Sequence, residues 1–205
     1  ILAFPVRTLA GVFGWITCPL ILNRYKRDLK IAGGKVNWNL PSIEKPDVIM
    51  TKDNSNIRIG QNAYLEEIRL TSKSASGFED IWDSISQTIP EGEEYNFIKS
   101  KIKNDLSVVD DEVFRDLSSL TTEVTARIAI DQNTGVVKPG ALWYEEALPT
   151  DSLMYSLILL PKRSRNGSDS SDIAEKFLAF NGKVINVGGD ETIGRGFVRV
   201  RVVSC

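Results

Sequence analysis

Gly188-Gly189-Asp190-Glu191-Thr192-Ile193-Gly194-Arg195-Gly196 runs directly into Phe197-Val198-Arg199-Val200-Arg201-Val202-Val203. The second half alternates strictly, and side chains two apart on an extended chain share a face, so it predicts a β-strand. Val198, Val200 and Val202 make one face, fit for a core. Phe197, Arg199 and Arg201 make the other, an aromatic ring and two guanidinium groups that together suit base stacking and phosphate binding. The loop in front offers backbone N–H groups and Arg195 with little side-chain bulk, which lets a phosphate backbone approach. Its glycine spacing from Gly189 to Gly194 is that of a nucleotide-binding P-loop. But Arg195 stands where that motif has lysine, Gly196 where it has the Ser/Thr metal ligand, and a strand follows where a helix should start. That context disfavours an NTP site or a small-molecule phosphate enzyme. From these residues alone, a plain hairpin turn with solvated arginines remains the alternative.

Upstream, Val184 to Val187 predicts the strand before the loop. Asp172 with Glu175 three residues on resembles a helix start, and Asn181-Gly182 a helix stop. Pro161 to Ser171 is basic and rich in Ser, hence a loop. Met154 to Leu160 is nearly all apolar and predicts a buried strand. Before it, Val124 to Ile130, the turn Asp131-Gln132-Asn133-Thr134-Gly135, and a return from Val136 through Lys138-Pro139-Gly140 to Glu146 predict a β-hairpin over 124–146. Its far arm carries Trp143 and Tyr144, then Glu145 and Glu146. Adjacent residues on a strand point to opposite faces, so the two glutamates are not a carboxylate dyad. A solvated arm is their plain reading.

Towards the N-terminus, Asp110 is a good N-cap for a helix over 111–120. Phe78 to Ile85 predicts a helix and Tyr64 to Leu70 a strand. Residues 31–62 read as an irregular insertion with short strands near 48–51 and 57–59. Leu9, Val12, Phe13 and Ile16 have helical spacing, which predicts a helix over Arg7 to Thr17. Pro19 opens a second helix to Leu29, its end basic with Arg24, Lys26, Arg27 and Lys30. Residues 1–22 thus predict a buried helical hairpin. Pro5, Arg7, Thr8, Thr17 and Pro19 interrupt the apolar run too often for a membrane span. Beginning at Ile1 without methionine, the chain is expected to continue upstream in the natural protein. Interleaved helices, strands and hairpins predict an α+β fold with helices on one face of an antiparallel sheet and the other face open, a platform for single-stranded RNA.

The 205 residues fit one domain, and 42% hydrophobic content allows a core. Charge is uneven. Residues 1–40 carry six Lys/Arg and one acid, 41–123 nine and seventeen, and 124–205 ten and nine. A polyanion site therefore belongs to the two ends. A net charge of −2 argues against a free-standing, non-specific nucleic-acid binder. With no histidine there is no His base, triad or metal ligand, and Cys18 and Cys205 make no zinc pattern. Two cysteines fit a reducing, cytoplasmic setting.

Four stretches now carry a resemblance: Phe4 to Pro19; Arg127 to Asp131 with Thr134-Gly135; Gly140 to Pro149; and Gly188 to Val203. In this order they resemble the RAMP superfamily of CRISPR–Cas proteins, and more narrowly the repeated backbone subunit of the type III-B (Cmr) effector complex. The resemblance spans nearly the whole chain. It implies a modified ferredoxin-like (RNA-recognition) fold with insertions, a protruding hairpin "thumb" matched by residues 124–146, and a glycine-rich loop at 188–196 near the guide. It implies a subunit that stacks in copies on CRISPR RNA, holds it for pairing with single-stranded target RNA, and works with the other type III-B subunits in antiviral defence. The RNA-binding residues it points to are Arg7, Lys138, Trp143, Gly188, Gly189, Arg195 and Gly196. The family's target-RNA cleavage uses a divalent metal, Mg or Mn, and an aspartate in an upstream loop. No residue here corresponds to that aspartate, or to the family's first strand and following helix. The expectation is therefore a single domain over 1–205 lacking that strand and helix, with no catalytic residue of its own. A non-catalytic structural RNA-binding module is the other reading.

Overall fold

A computed structural model of the chain describes residues 1–40, 42–75, 78–160 and 170–203. Its body is a seven-stranded sheet. In spatial order the strands are β1 (Phe4–Arg7), β2 (Phe13–Thr17), β7 (Leu106–Val108), β3 (Val48–Thr51), β6 (Ile68–Ser74), β5 (Asn62–Leu65) and β4 (Arg58–Ile59). The β2–β7 and β3–β6 pairs are parallel and the other pairs antiparallel, so the sheet is mixed rather than antiparallel.

Alternation divides the strand side chains between two cores. Trp15, Met50, Leu106 and Val108 face one side, which is covered by three helices. These are α1 (Pro19–Ile31) through Leu22 and Tyr25, α2 (Glu79–Ser86) through Ile81, Trp82 and Ile85, and α3 (Asn96–Asp105) through Ile102. Phe4, Val6, Ile16, Ile49, Leu65 and Leu70 face the other side and pack with Phe114 and Leu117 of α4 (Asp111–Leu120). The sheet also curls around this second core. Thr8 bridges Leu65, the Glu66 N–H donates to the Arg7 carbonyl at 2.9 Å, and the Leu9 N–H donates to the Tyr64 carbonyl at 3.2 Å. The expected open sheet face is therefore absent from the body. A curled sheet with apolar side chains on both faces must be covered on both.

The second helix and the Asp110 cap form as read: Pro19 takes the first turn of α1, and Asp110 Oδ1 accepts the Glu112 N–H at 2.9 Å. The first helix does not form. Residues 4–17 are the β1–β2 hairpin, and Leu9 and Val12, counted on a helical face, stand exposed at its turn. Aromatic and β-branched residues alternate on either side of that turn, and alternation, not the 3.6 period, matched the burial. Gly11 and Gly14 allow the close packing. A Cβ on Gly11 would meet the Asn56 carbonyl oxygen at 3.0 Å, and one on Gly14 the Asp105 carbonyl oxygen at 2.9 Å. Asp105, fully buried, locks this corner. It accepts from Ser55 Oγ at 3.0 Å, the Asn56 N–H at 2.8 Å and Lys101 Nζ at 2.8 Å, while Lys101 also donates to the Gly11 carbonyl at 3.0 Å.

After Leu117 the character changes, and no described residue there is buried. The strand expected over Met154 to Leu160 does not form. Beyond the Ala3–Leu153 bridge the segment has no strand partner among the described residues, and Ile158 and Leu159 are exposed. Without a paired ladder, a run of apolar residues has no reason to stay extended and buried. The loop expected over 161–171 lies mostly outside the described residues. Helix α5 (Ser170–Leu178) already contains Asp172 in its first turn, so Asp172 is not its cap.

Candidate nucleic-acid interface

Two isolated strand pairs make up the second half. β8 (Glu123–Ile130) and β9 (Val137–Ala147) form one long antiparallel hairpin, and β10 (Val184–Asn186) pairs with β11 (Phe197–Arg199) around the glycine-rich loop. The hairpin turn is closed by Asp131. Its N–H donates to the Val136 carbonyl at 2.9 Å, and its carboxylate caps the Asn133 and Thr134 N–H groups. The pairing jumps from Ile128–Leu142 to Ile130–Val137, so Lys138 to Ala141 bulge out of β9 around Pro139 and Gly140, the latter at φ +73°. Lys138 therefore sits near the tip. Seven residues of extended chain separate the base at Glu123 from Ile130, roughly 23 Å.

Period-two alternation gives the hairpin two different faces. Glu123, Thr125 and Arg127 align with Ala147, Glu145 and Trp143 in register. Arg127 Nε donates to Glu145 Oε2 at 2.7 Å and Trp143 Nε1 to Glu145 Oε1 at 3.0 Å. The Arg127 hydrogen bond, reinforced by that of Trp143, holds the Glu145 carboxyl below its ordinary value. Glu146 lies on the opposite face and accepts from Thr122 Oγ1 at 2.6 Å, so the two glutamates do separate. Val124, Ala126 and Ile128 align on that second face with Tyr144 and Leu142. Val124 is 62% exposed, Leu142 57% and Tyr144 68%. The result is a charged, hydrogen-bonded face carrying one indole, backed by a face that is apolar and exposed beyond Glu146 at its base.

The glycine-rich loop meets the charged face at its base. Arg195 Nη1 pairs with Glu123 Oε2 at 3.1 Å, and Nη2 donates to Thr125 Oγ1 at 3.3 Å. The four loop residues expected to serve RNA divide into three kinds. Gly196, at φ +77°, is architectural, since a Cβ there would meet the Val187 carbonyl oxygen at 2.6 Å. Gly188, at φ +96°, and Gly189 have nothing within 4 Å of a built Cβ, so their backbone lies open to a ligand. Arg195 is engaged with the hairpin and would meet a phosphate only by exchange.

Two expected groupings are not assembled. The strand read over Phe197 to Val203 is regular only to Arg199, and its arginines turn towards the body. Arg199 Nη1 donates to the Gly182 carbonyl at 2.6 Å and its guanidinium lies 5.9 Å from the Tyr95 ring centre. Arg201 pairs with Glu91 at 2.6 Å. The body offers those charges an acidic loop and an aromatic ring, which the local pattern does not contain. Phe197 remains exposed. Arg7 lies at the seam of the curled sheet, its side chain 86% exposed and paired with Glu66 at 3.2 Å. No described hydrogen bond joins it to the glycine loop or to the hairpin. The sequence reading missed the Glu123–Thr125–Arg127–Glu145 ladder, although the alternation that carries it is plain in the chain.

Among the described residues no three acidic or cysteine side chains converge as metal ligands. No described helix is long and apolar enough to cross a membrane.

The chain thus combines a curled, helix-flanked sheet with an exposed hairpin and a glycine-rich loop. The RAMP superfamily model matches residues 25–199, and the chain belongs to that superfamily. Among individual relatives it is similar to the CRISPR system Cmr endoribonuclease Cmr4 of Pyrococcus furiosus, with 42% identity over 202 residues, 98% of this chain and 65% of that protein. It is 33% identical over 96 residues to the CRISPR system CMR subunit Cmr4 of Saccharolobus solfataricus, 47% of this chain and 30% of the relative. The crystal structure of oligomeric Cmr4 from Pyrococcus furiosus matches with a TM-score of 0.74 at 35% identity, covering 98% of this chain and 69% of that one. The chain spans less than two thirds of the length of both curated relatives.

Proposed function

We propose that this chain is the guide-holding part of a type III-B CRISPR backbone subunit. It stacks in copies along CRISPR RNA, beside other subunits of the complex, and presents the guide for pairing with target RNA in antiviral defence. A reducing, cytoplasmic setting fits this reading, as Cys18 is a buried free thiol.

One observation carries the reading: a long two-faced hairpin, joined to an open glycine loop, in a half of the chain with no buried described residue. An isolated two-stranded hairpin is marginal in water, and exposing Leu142 and Tyr144 on it is unfavourable unless something covers them. In this reading the apolar face rests on the next copy, in keeping with a Pyrococcus relative known in oligomeric form. The charged face, with Trp143 on it and Lys138 at the tip, meets the guide. Stacking of a base on Trp143 contributes roughly 1–3 kcal/mol, and Lys138 holds a phosphate. The Gly188 and Gly189 backbone lets the guide pass at close range, and Arg7 supplies a further cation at the sheet seam. The fold is then a modified ferredoxin-like one with the hairpin as thumb.

Target cleavage, with Mg or Mn, belongs in this reading to the whole protein. In this reading the work of the hairpin and the glycine-rich loop is to bind and bend RNA. The same hairpin and loop would also serve the second reading, a purely structural RNA-binding module.

The test uses the intact protein with guide RNA. Replacing Gln132 to Lys138 with a short turn should leave it folded but abolish regularly spaced assembly on the guide. Normal assembly would refute the thumb. Adding target RNA and Mg²⁺ or Mn²⁺ then separates the two readings, since only the first expects cuts at regular intervals.

A further inference from the structure

We infer that Arg195 is a positioning residue: it is a strut between the glycine-rich loop and the base of the hairpin, and it sets the angle at which the hairpin leaves the body. The inference rests on the guide-holding role proposed above for its consequence, but not for its geometry.

The backbone of Arg195 is held from both sides. Its N–H donates to the Asp190 carbonyl at 3.1 Å and its carbonyl accepts from Asn186 Nδ2 at 2.9 Å. Next to it the Val187 N–H donates to the Gly196 carbonyl at 2.8 Å, an approach that only glycine at 196 permits. Asp190 at φ +64° and Gly194 at φ +83° bend the loop so that residue 195 emerges towards β8. The guanidinium fork then takes two acceptors on one face of that strand, Glu123 and Thr125, two residues apart.

Among the described residues, the other side-chain hydrogen bonds of β8 and β9 stay within the hairpin or reach Thr122 at its own base. Nothing on the hairpin is buried, so packing does not fix its direction. A partly exposed ion pair adds little to global stability. Its effect here is leverage. With a tip roughly 23 Å from the base, a tilt of about 10° moves Lys138 by about 4 Å, close to the width of one strand spacing. The pair sits one rung below the Arg127–Glu145–Trp143 ladder, so the strut also decides where the indole points. A guide lying on the glycine loop and on the hairpin would thus find both at a fixed separation.

The experiment uses the full-length protein with spin labels on the hairpin tip and the sheet body, and guide-binding isotherms over a salt series. Variants are Arg195→Ala, Glu123→Gln, and the charge swap Arg195→Glu with Glu123→Arg. The strut expects Arg195→Ala to broaden the tip-to-body distance distribution of the RNA-free protein, and Glu123→Gln, which keeps the Thr125 contact, to broaden it less. It expects the swap to narrow the distribution again, and the salt slope of guide binding to stay at its parent value in all three. Unchanged distances in Arg195→Ala would overturn it. So would a salt slope reduced by about one in Arg195→Ala with full affinity in Glu123→Gln, the pattern of a phosphate ligand. If the distances respond as expected while no form of the protein binds guide RNA, the strut stands and the guide-holding role fails.

Discussion

Two tryptophans summarise the contrast between the halves of this molecule. Trp82 in α2 is 1% exposed, stacks on Phe78 at 5.3 Å, and donates its indole N–H to the Leu106 carbonyl at 3.0 Å. Trp143 in β9 is 46% exposed and donates to Glu145 on its own strand. Every buried apolar residue among those described lies between Leu2 and Leu117. The first half holds the core, on which Leu153 and Tyr155 also pack, and most of the rest of the second half is a set of exposed, hydrogen-bonded devices carried on it. The difference teaches where binding resides. In the proposed role the apolar side chains left bare along this hairpin are surface for a partner, whereas most residues of these types in the body's sheet are buried.

The strongest way to break that contrast is to damage the body. Trp82→Ala should cost about 3–5 kcal/mol, because it leaves a cavity and removes the indole's hydrogen bond to the Leu106 carbonyl. Asp105→Ala should cost about as much, since it takes the carboxylate from the part-buried Lys101, leaving its ammonium only the Gly11 carbonyl, and frees the Ser55–Asn56 loop. Chemical denaturation of the intact protein measures both, and a loss under about 1 kcal/mol in either would mean the half-chain core is not what holds the fold. Trp143→Ala should do the reverse. Stability should change by less than about 0.5 kcal/mol, while guide affinity falls by roughly 5- to 150-fold, the equivalent of one stacked base. Equal effects of Trp82→Ala and Trp143→Ala on melting would erase the distinction.

Within the second half, Gly196→Ala and Gly189→Ala sharpen the split inside one loop. Gly196→Ala combines a left-handed backbone with a 2.6 Å approach to the Val187 carbonyl. About 1–3 kcal/mol of local strain should result, seen as faster amide exchange in β10 and β11. Gly189→Ala has open space and should leave exchange unchanged, with its effect confined to guide binding. The smallest expected effect is on pH. Glu145 titrates below its ordinary value in the folded chain, so its contribution is present above about 4.5 and disappears as pH falls through the lower folded value. The indole N–H resonance of Trp143 should hold steady from pH 7 to 5 and move on further acidification. A resonance constant down to pH 3 would show that the Glu145 contact does not persist in solution.

Local signals were legible where chemistry is local. Pro19 and Asp110 place the starts of α1 and α4, and the alternation after Glu123 gives the hairpin, its turn at Asp131 and the opposite facing of Glu145 and Glu146. The helix expected over Arg7 to Thr17 shows the limit of that approach. Leu9, Val12, Phe13 and Ile16 fit a helical period, but Leu9 and Val12 are turn residues, Val12 at φ +71°. What holds them there is Lys101 and Asp105, about ninety residues away. No window of sequence contains that instruction.

The sequence by itself determined the hairpin and the glycine loop, because strand period and glycine stereochemistry act over a few residues. It also determined the family, because Phe4 to Pro19, Gly140 to Pro149 and Gly188 to Val203 occur together in order. Tertiary structure alone decided which cations are available to a ligand. Arg199 and Arg201 were offered by their alternation as a phosphate-binding face, yet Tyr95 and Glu91 draw them to the body, while Arg195 is drawn to Glu123. A guanidinium binds whichever acceptor the fold brings within about 3 Å, and that acceptor is a matter of long-range packing.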